Sequence, residues 1–436
     1  MDIDCRQSPS RTWDFSAVLS QQFREQRVFD GLKPLARIAV AVGSRGIKNL
    51  AQIVSCVIDT LRKSGMQPFI VPAMGSHGGA TPLGQAHVLA DYGITPESMG
   101  VPFDTRMDVH PIGTSDNGVE VFFSQAALEA DGVVVINRIK PHTDFRGSLG
   151  SGISKMIAIG LGKHRGAVEV HAAASRLGHE CVIRAVTRVT LKKAPILCGI
   201  AIVEDQKHET AELRVIRPER LESQENDLFT IAKSLMPKLP FDEIDLLIVD
   251  FMGKDVSGTG MDPYVIGRSV YGYSSSLLPE AGSTPRVYRI FVRDLTPATN
   301  GNALGIGLAD FTTTRAVQQI DRAASYTNSL TALTPSTMKI PIYFDNDLEC
   351  VEIALASLAL PKSAIPRIVR ILNTLSLDKF QASEAYSSEI RSREDLVVVN
   401  SPRSMEFDAF GNLAQWGGSE SLLRIDAHRT SGTTTP

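Results

Sequence analysis

Short runs of apolar, mostly β-branched residues alternate along the chain with longer segments in which apolar residues recur every three or four positions. The first pattern is typical of strands buried on both faces, and the second of amphipathic helices. Their alternation predicts an α/β fold class, with a mostly parallel sheet and helices on both faces. The predicted strands include RIAVAVG (37–43), PFIVPAMG (68–75), DGVVVINRI (131–139), CGIAIVED (198–205), FDEIDLLIVDF (241–251) and RVYRIFVRD (286–294).

Helical segments follow the first two of these strands. NLAQIVSCVIDTLRKSG (49–65) has the helical spacing of apolar residues and ends at a glycine. In TPLGQAHVLADYG (81–93), Thr81 is a suitable N-cap because its hydroxyl can accept a hydrogen bond from an N–H of the first turn. A long helix is also expected in RLESQENDLFTIAKSLMPKL (220–239).

The chain has 436 residues, more than one core usually organises, and the strand–helix pattern starts afresh after about residue 220. We therefore predict two α/β domains, the second one smaller, with the active site in the cleft between them. The predicted boundaries are 1–220 for the N-terminal domain, 221–240 for a connecting helix, 241–375 for the second domain, and 376–436 for a segment that returns to the first domain and ends in a disordered tail.

Composition excludes several classes of protein. The formal net charge of −3 offers no basic surface for nucleic acid. The five cysteines are scattered and form no CxxC pair, which argues against a disulfide framework and a structural zinc site. Because the N-terminal stretch MDIDCRQSPSRTWDF is polar and acidic, we expect no signal peptide, and no apolar run reaches the roughly 18 residues of a membrane span. We expect a cytoplasmic protein with no membrane partner.

Three predicted strands end in polar turns that contain glycine. Because ligands bind at the carboxyl ends of parallel strands, Arg45, His77 and His142 are expected to share one crevice although they lie far apart in sequence. Each of these residues alone is more often an ordinary loop residue, and the coincidence at three strand ends favours a site. The turns are GSRG (43–46), GSHGG (75–79) and NRIKPHTDFRGSLGSG (137–152).

The third turn contains a glycine-rich stretch, GSLGSGISKM, that differs from a nucleotide P-loop. Two residues separate its last glycine from Lys155, and no hydroxyl follows the lysine to bind magnesium. The N–H groups around Gly147, Gly150 and Gly152 are nevertheless expected to bind a single phosphate. His171 lies sixteen residues after Lys155, on a predicted helix that faces the same loop.

This order of His77, His142, glycine loop, Lys155 and His171 resembles the nickel-dependent lactate racemase family. The family has two α/β domains with the active site between them, and its members carry a nickel-pincer nucleotide, which is a pyridinium thioacid mononucleotide that holds nickel. The resemblance therefore implies that the first domain binds this cofactor and that the second covers the substrate. The likeness extends to SGTGMD (257–262) and NGNALGIGLADFTTTR (300–315).

The resemblance also implies roles for single residues. Lys155 would be linked covalently to the cofactor, and His171 would be the nickel ligand. His77 and His142 would be the two general acid/bases, and Arg45 would lie near cofactor and substrate. In the second domain, YVIGR supplies Tyr264 and Arg268 as substrate-binding residues, with Arg268 placed by spacing only. Val265 stands where the racemase has a glutamine, which favours a substrate other than lactate.

The function implied is a racemase or epimerase that inverts C2 of a 2-hydroxy acid by reversible hydride transfer to the nickel-pincer nucleotide. Inversion requires a base for the hydroxyl proton on each face, which is a reason for two histidines. The partners implied are the small-molecule substrate and the cofactor-maturation enzymes. Two alternatives stay open: a zinc-type hydrolase or lyase with His77, His142 and His171 as ligands, and a non-enzymatic phosphate- or nucleotide-binding protein.

Overall fold

The structure, a computed structural model, describes residues 1–5, 12–43, 46–141, 147–268, 285–331 and 334–415. The chain divides into an N-terminal unit, Pro9–Met236, and a C-terminal unit, Met1–Ser8 with Pro237–Pro436. The strands of the described residues are β1 (Asp2–Cys5), β2 (Arg37–Val42), β3 (Gln67–Pro72), β4 (Val109–Thr114), β5 (Glu120–Ser124), β6 (Gly132–Arg138), β7 (Ile196–Glu204), β8 (Thr210–Ile216), β9 (Glu243–Met252), β10 (Arg286–Leu295), β11 (Phe311–Thr313), β12 (Ile342–Phe344), β13 (Ile368–Asn373), β14 (Ser376–Ala382) and β15 (Leu396–Asn400).

Several of the helices begin at a residue whose side chain caps the first turn. Thr81 accepts a hydrogen bond from the N–H of Gly84 at 3.0 Å, which confirms the predicted N-cap. A π-helical turn, Met156–Gly160, separates α6 from α7. The α-helices are α1 (Phe15–Glu25), α2 (Leu50–Lys63), α3 (Pro82–Ala90), α4 (Pro96–Met99), α5 (Gln125–Leu128), α6 (Ile153–Lys155), α7 (Lys163–Leu177), α8 (His179–Lys193), α9 (Leu221–Ser234), α10 (Pro263–Ile266), α11 (Thr314–Gln318), α12 (Arg322–Thr331), α13 (Asp347–Ala356) and α14 (Ser387–Arg391).

The N-terminal unit is built on a sheet with strand order β3-β2-β6-β7-β8, in which β3, β2, β6 and β7 are parallel and β8 is antiparallel. The side chains of β2 alternate between two buried clusters. Ile38 and Val40 pack with α1 and α2, whereas Ala39 and Ala41 pack with α6 and α9 on the other face. Helices therefore cover both faces, as the predicted α/β fold class requires.

The C-terminal unit has a sheet of strand order β12-β11-β10-β9-β13-β14-β1-β15, parallel from β12 to β13 and antiparallel beyond. The sequence predicted that 376–436 returns to the first domain, but β14 and β15 pair within this unit. β14 follows β13 through a tight hairpin, which needs little loop closure, and it buries Leu377 and Phe380 in the local core. Residues 416–436, with the predicted disordered tail, lie outside the described residues.

Two further segments differ from the predicted boundaries. The strand β1 belongs to the C-terminal unit, where it pairs with β14 and β15. The predicted connecting helix is α9, which buries Leu228 and Phe229 in the core of the N-terminal unit and so forms part of it. Among the described helices, none combines the length and the apolar character that crossing a membrane requires.

Candidate active site

The carboxyl ends of β3, β2 and β6 form one edge of the N-terminal sheet, since the three strands are adjacent and parallel. The order reverses between β2 and β6, and such a switch point is where open α/β sheets bind ligands. A methyl group on Gly43, directly after β2, would lie 2.6 Å from Cε of Met156 and 3.8 Å from Oδ1 of Asn137 near the end of β6. Arg45 and His142, predicted to lie at this edge, fall outside the described residues.

His77 lies on the turn that follows β3. The turn is closed by the N–H of His77, which donates to the carbonyl of Met74 at 3.1 Å, and the side chain of His77 is exposed. Gly75 and Gly78 have φ values of 59° and 64°, a left-handed conformation that favours glycine. Gly78 also contacts the backbone of Gly84 in α3 so closely that neither position has room for a side chain.

Lys155 is half-buried at the end of α6, where the glycine-rich loop returns to the sheet. The backbones of Lys140 and Ser151 pair across the base of this loop through two hydrogen bonds, of 3.0 and 2.8 Å. Asn137 adds a bond from its Nδ2 to the carbonyl of Gly152 at 2.7 Å. The segment that carries Lys155 is therefore hydrogen-bonded to the end of β6.

Two carboxylates bind the loop where a phosphate was predicted. The N–H of Ser148 donates to Glu180 at 3.0 Å, and the N–H of Ser154 donates to Glu225 at 3.1 and 3.2 Å. The hydroxyl of Ser154 also hydrogen bonds to Glu225, a side chain that is only 1 % exposed. Burial raises the pKa of Glu225, although the bonds from Ser154 act in the opposite direction.

The glycines of the loop are explained by the same contacts. A methyl group on Gly147 would collide with the carboxylate of Glu180, and one on Gly152 with that of Glu225. Gly150 is buried. These three glycines were predicted to bind the cofactor phosphate, and the structure gives two of them another physical reason, since they leave room for carboxylates of the protein itself.

His171 is exposed on α7, and its ring centroid lies 6.1 Å from that of His179 at the start of α8. The same helix contacts the His77 turn. A methyl group on Gly75 would lie 3.4 Å from Cβ of Ala167, one helical turn before His171, and 3.3 Å from Ile159 of the π-helical turn. The turn of His77, the turn after Lys155 and the helix of His171 therefore pack against one another.

The predicted substrate-binding residues Arg268 and Tyr264 lie in the C-terminal unit. Arg268 is buried and donates to the carbonyl of Val287 at 2.6 Å and to Asp310 at 3.1 Å. Tyr264 is half-buried in α10, where its N–H donates to the capping carboxylate of Asp262 at 3.0 Å. The hydrogen bond from Arg268 to Val287 connects the segment after α10 to β10.

The described residues hold no group of three or more His, Cys, Asp or Glu side chains arranged to bind a metal ion. The three-histidine ligand set of the zinc alternative includes His142, which lies outside those residues.

The family model described as the lactate racemase N-terminal domain matches residues 6–180, a stretch that contains His77, His142, Lys155 and His171. Over these residues the chain is similar to the lactate racemase family. No curated protein matches the chain. The lactate racemase apoprotein from Thermoanaerobacterium thermosaccharolyticum is 15 % identical, with a TM-score of 0.50 over 86 % of this chain and 99 % of that one, which supports the fold. A protein from Thermotoga maritima is 12 % identical, with a TM-score of 0.47 over 78 % of this chain and 90 % of that one.

Sequence reasoning missed several residues around this candidate site. Glu225 lies on a helix whose sequence, LESQENDLF, is that of any amphipathic surface helix. Lys163, in GKHRG, lies in a polar stretch that gives no signal of burial, yet it has no exposed surface in the structure. His179 was not identified either, because its ring contact with His171 has no signal in the spacing.

Proposed function

We propose that this protein is a racemase or epimerase that inverts C2 of a 2-hydroxy acid, with His77 and His142 as acid/bases. In this proposal, Lys155 and His171 hold a nickel-pincer nucleotide. The observation that carries it is the mutual packing of the His77 turn, the π-helical turn after Lys155 and α7 with His171. The family match covers the same stretch of chain.

The chemistry of the side chains fits that group. An imidazole such as His171 is a suitable ligand for nickel, and the amine of Lys155 can form a covalent bond to a thioacid. The π-helical turn beside Lys155 is a feature found frequently at functional sites. When bound, the group supplies the hydride acceptor for the carbon that is inverted.

In this proposal, side chains of the protein transfer the hydroxyl proton and orient the substrate. Removal of the C2 hydrogen as hydride leaves a ketone only if the hydroxyl proton goes to a base, and an imidazole is a suitable base near neutral pH. Each face of the carbon needs its own base, which is the role proposed for His77 and His142. The guanidinium of Arg45 is proposed to bind the substrate carboxylate through paired hydrogen bonds.

Arg268 has a different part in this proposal. Its guanidinium is bound by Asp310 and by backbone carbonyls, so that it fixes the position of Tyr264 and the segment around it. The proposal assigns the substrate contact in this segment to Tyr264. A non-enzymatic phosphate-binding role is less favoured, because the loop N–H groups of Ser148 and Ser154 already donate to carboxylates.

The decisive experiment measures intact mass and nickel content after expression together with the cofactor-maturation enzymes. We expect a covalent mass increase in the unaltered protein and in Lys192→Ala, an exposed lysine on α8 that serves as the control. Lys155→Ala should lack the increase, and His171→Ala should keep it but lose most of the nickel. A retained adduct in Lys155→Ala would refute the assignment.

The type of reaction is tested with substrates deuterated at C2. Inversion with most of the label retained, and with little uptake of deuterium from heavy water, is expected for hydride transfer, since a proton on imidazole exchanges with solvent. Rapid exchange of the C2 hydrogen with solvent during inversion would instead indicate a carbanion.

A further inference from the structure

A fully buried lysine lies beneath the His77 turn. Lys163 has 0 % exposed surface, and its Nζ donates to the carbonyl of Pro72 at 2.7 Å and to Oε1 of Gln85 at 3.4 Å. Lysine is almost never fully buried unless it is paired with an opposite charge. Here both hydrogen-bond acceptors are neutral, and burial lowers the pKa of Lys163 to about 8 although the charge of Asp104 acts in the opposite direction. Burial of an amine at this position lowers the stability of the folded protein, so a functional role for Lys163 is expected.

The backbone of Lys163 adds a second cost. Its φ is 52°, in the left-handed region where a side chain is disfavoured by about 1–2 kcal/mol. Glycine would fit this conformation better, and the residue before it is Gly162. Lys163 therefore combines a strained backbone with a buried amine. Backbone strain of this kind clusters at functional sites.

Gln85 connects this lysine to the His77 turn. Its Nε2 donates to the carbonyl of Gly75 at 2.9 Å and to the carbonyl of His77 at 3.2 Å, and its side chain has 0 % exposed surface. Because Lys163 can only donate, it fixes the amide of Gln85 with the oxygen toward Nζ and the nitrogen toward the two carbonyls. One buried amide therefore holds the backbone on both sides of Ser76.

We infer that Lys163 and Gln85 are positioning residues that hold the turn of His77, and so orient its imidazole toward the substrate. The inference rests on the proposed function for the role of His77 as acid/base. The contacts themselves connect the start of α7, which carries His171, to α3 and to the end of β3. A shift of the turn would move His77 relative to that helix, and a misplacement of about 1 Å can cost about 100-fold in rate.

The test uses the full chain in two forms. In the apoprotein, hydrogen–deuterium exchange of residues 75–80 should be about 10-fold faster in Lys163→Met than in the unaltered protein, while exchange of β6 stays unchanged. In the enzyme matured with its cofactor, Lys163→Met should lower kcat about 10-fold or more with KM, nickel content and covalent adduct retained. Lys33→Met, which removes an exposed lysine, is the control.

The possible outcomes separate the two proposals. Unchanged exchange of residues 75–80 in Lys163→Met, or a loss of kcat that only follows loss of cofactor, would overturn the positioning role. If Lys163→Met does not fold, Gln85→Leu directly removes the two bonds from Gln85 to the carbonyls of Gly75 and His77, and it is judged by the same criteria. If no 2-hydroxy acid is inverted by the unaltered enzyme, the exchange measurement still decides whether the pair holds the turn.

Discussion

Replacing Glu225 by leucine should destabilise the segment that carries Lys155. The carboxylate accepts from both the N–H and the hydroxyl of Ser154, which is 4 % exposed, so water cannot readily replace it. A buried donor left without an acceptor costs about 1–3 kcal/mol, and two of them set an upper range of about 2–6 kcal/mol. Leucine also removes the cost of burying an ionisable carboxyl group, and this gain offsets part of the loss. We therefore expect a net decrease of about 3 kcal/mol in the free energy of unfolding.

The assay is urea unfolding of the apoprotein, followed with hydrogen exchange at residues 153–156. Glu222→Leu is the matched control, because Glu222 lies one turn earlier on α9 and forms ion pairs with Arg184 and Arg188 at the surface. Such exposed pairs contribute about 0–1 kcal/mol. Equal losses in the two variants would refute the argument that the bonds to Ser154 stabilise the start of α6.

The pH dependence provides an independent check on Glu225. Burial raises its pKa in the folded protein above the ordinary value, so the folded state keeps the proton to higher pH than the unfolded state. Its contribution to stability therefore falls as pH rises from about 4.5 through the folded pKa. Glu225→Gln cannot titrate, and its stability should decline less over that window. An unaltered pH slope in the glutamine variant would contradict the raised pKa.

Other changes test the remaining parts of the site. Gly152→Ala should destabilise the apoprotein by about 2 kcal/mol or more in urea, because its methyl group meets a buried carboxylate. Gly46→Ala, whose methyl group would lie at an ordinary contact distance of 3.7 Å from Cε1 of Tyr92, should cost under about 1 kcal/mol. The pKa of Lys163 is lowered to about 8, so thermal stability should rise between about pH 8 and 10.5, and this rise should be absent in Lys163→Met. His77→Ala should slow inversion about 100-fold or more in both directions with each pure enantiomer as substrate, unlike His87→Ala on the exposed face of α3. A rate within about 10-fold of that of the unaltered enzyme would contradict the acid/base role.

The strands that form the candidate edge could be predicted because their signal is local. β2 and β6 are continuous apolar runs bounded by polar turns, and burial on both faces leaves no other pattern for them. β1 could not be predicted in the same way. It has four residues, of which only Ile3 is fully buried, and it is held by pairing with strands almost 400 residues away.

The polar contacts around Lys155 and His77 could not be predicted for a related reason. Glu225 and Ser154 are 71 residues apart, and Lys163 and Gln85 are 78 apart, so no spacing rule connects them. The glycine pattern of the loop predicts a binding site for a phosphate. It equally fits space for a side-chain carboxylate, and only the fold decides which oxygen atoms approach.

The family match and the folding unit end at different residues of the chain. The match ends at residue 180, whereas the unit that carries Lys155 continues to Met236. Beyond residue 180 lie β7, which pairs along β6, and α9, whose Glu225 caps the start of α6. Without them β6 would present an open edge and Ser154 would lose its acceptor. The matched residues thus depend on a segment outside the match. That segment keeps the turn that carries Lys155 at the end of β6, beside the turn of His77.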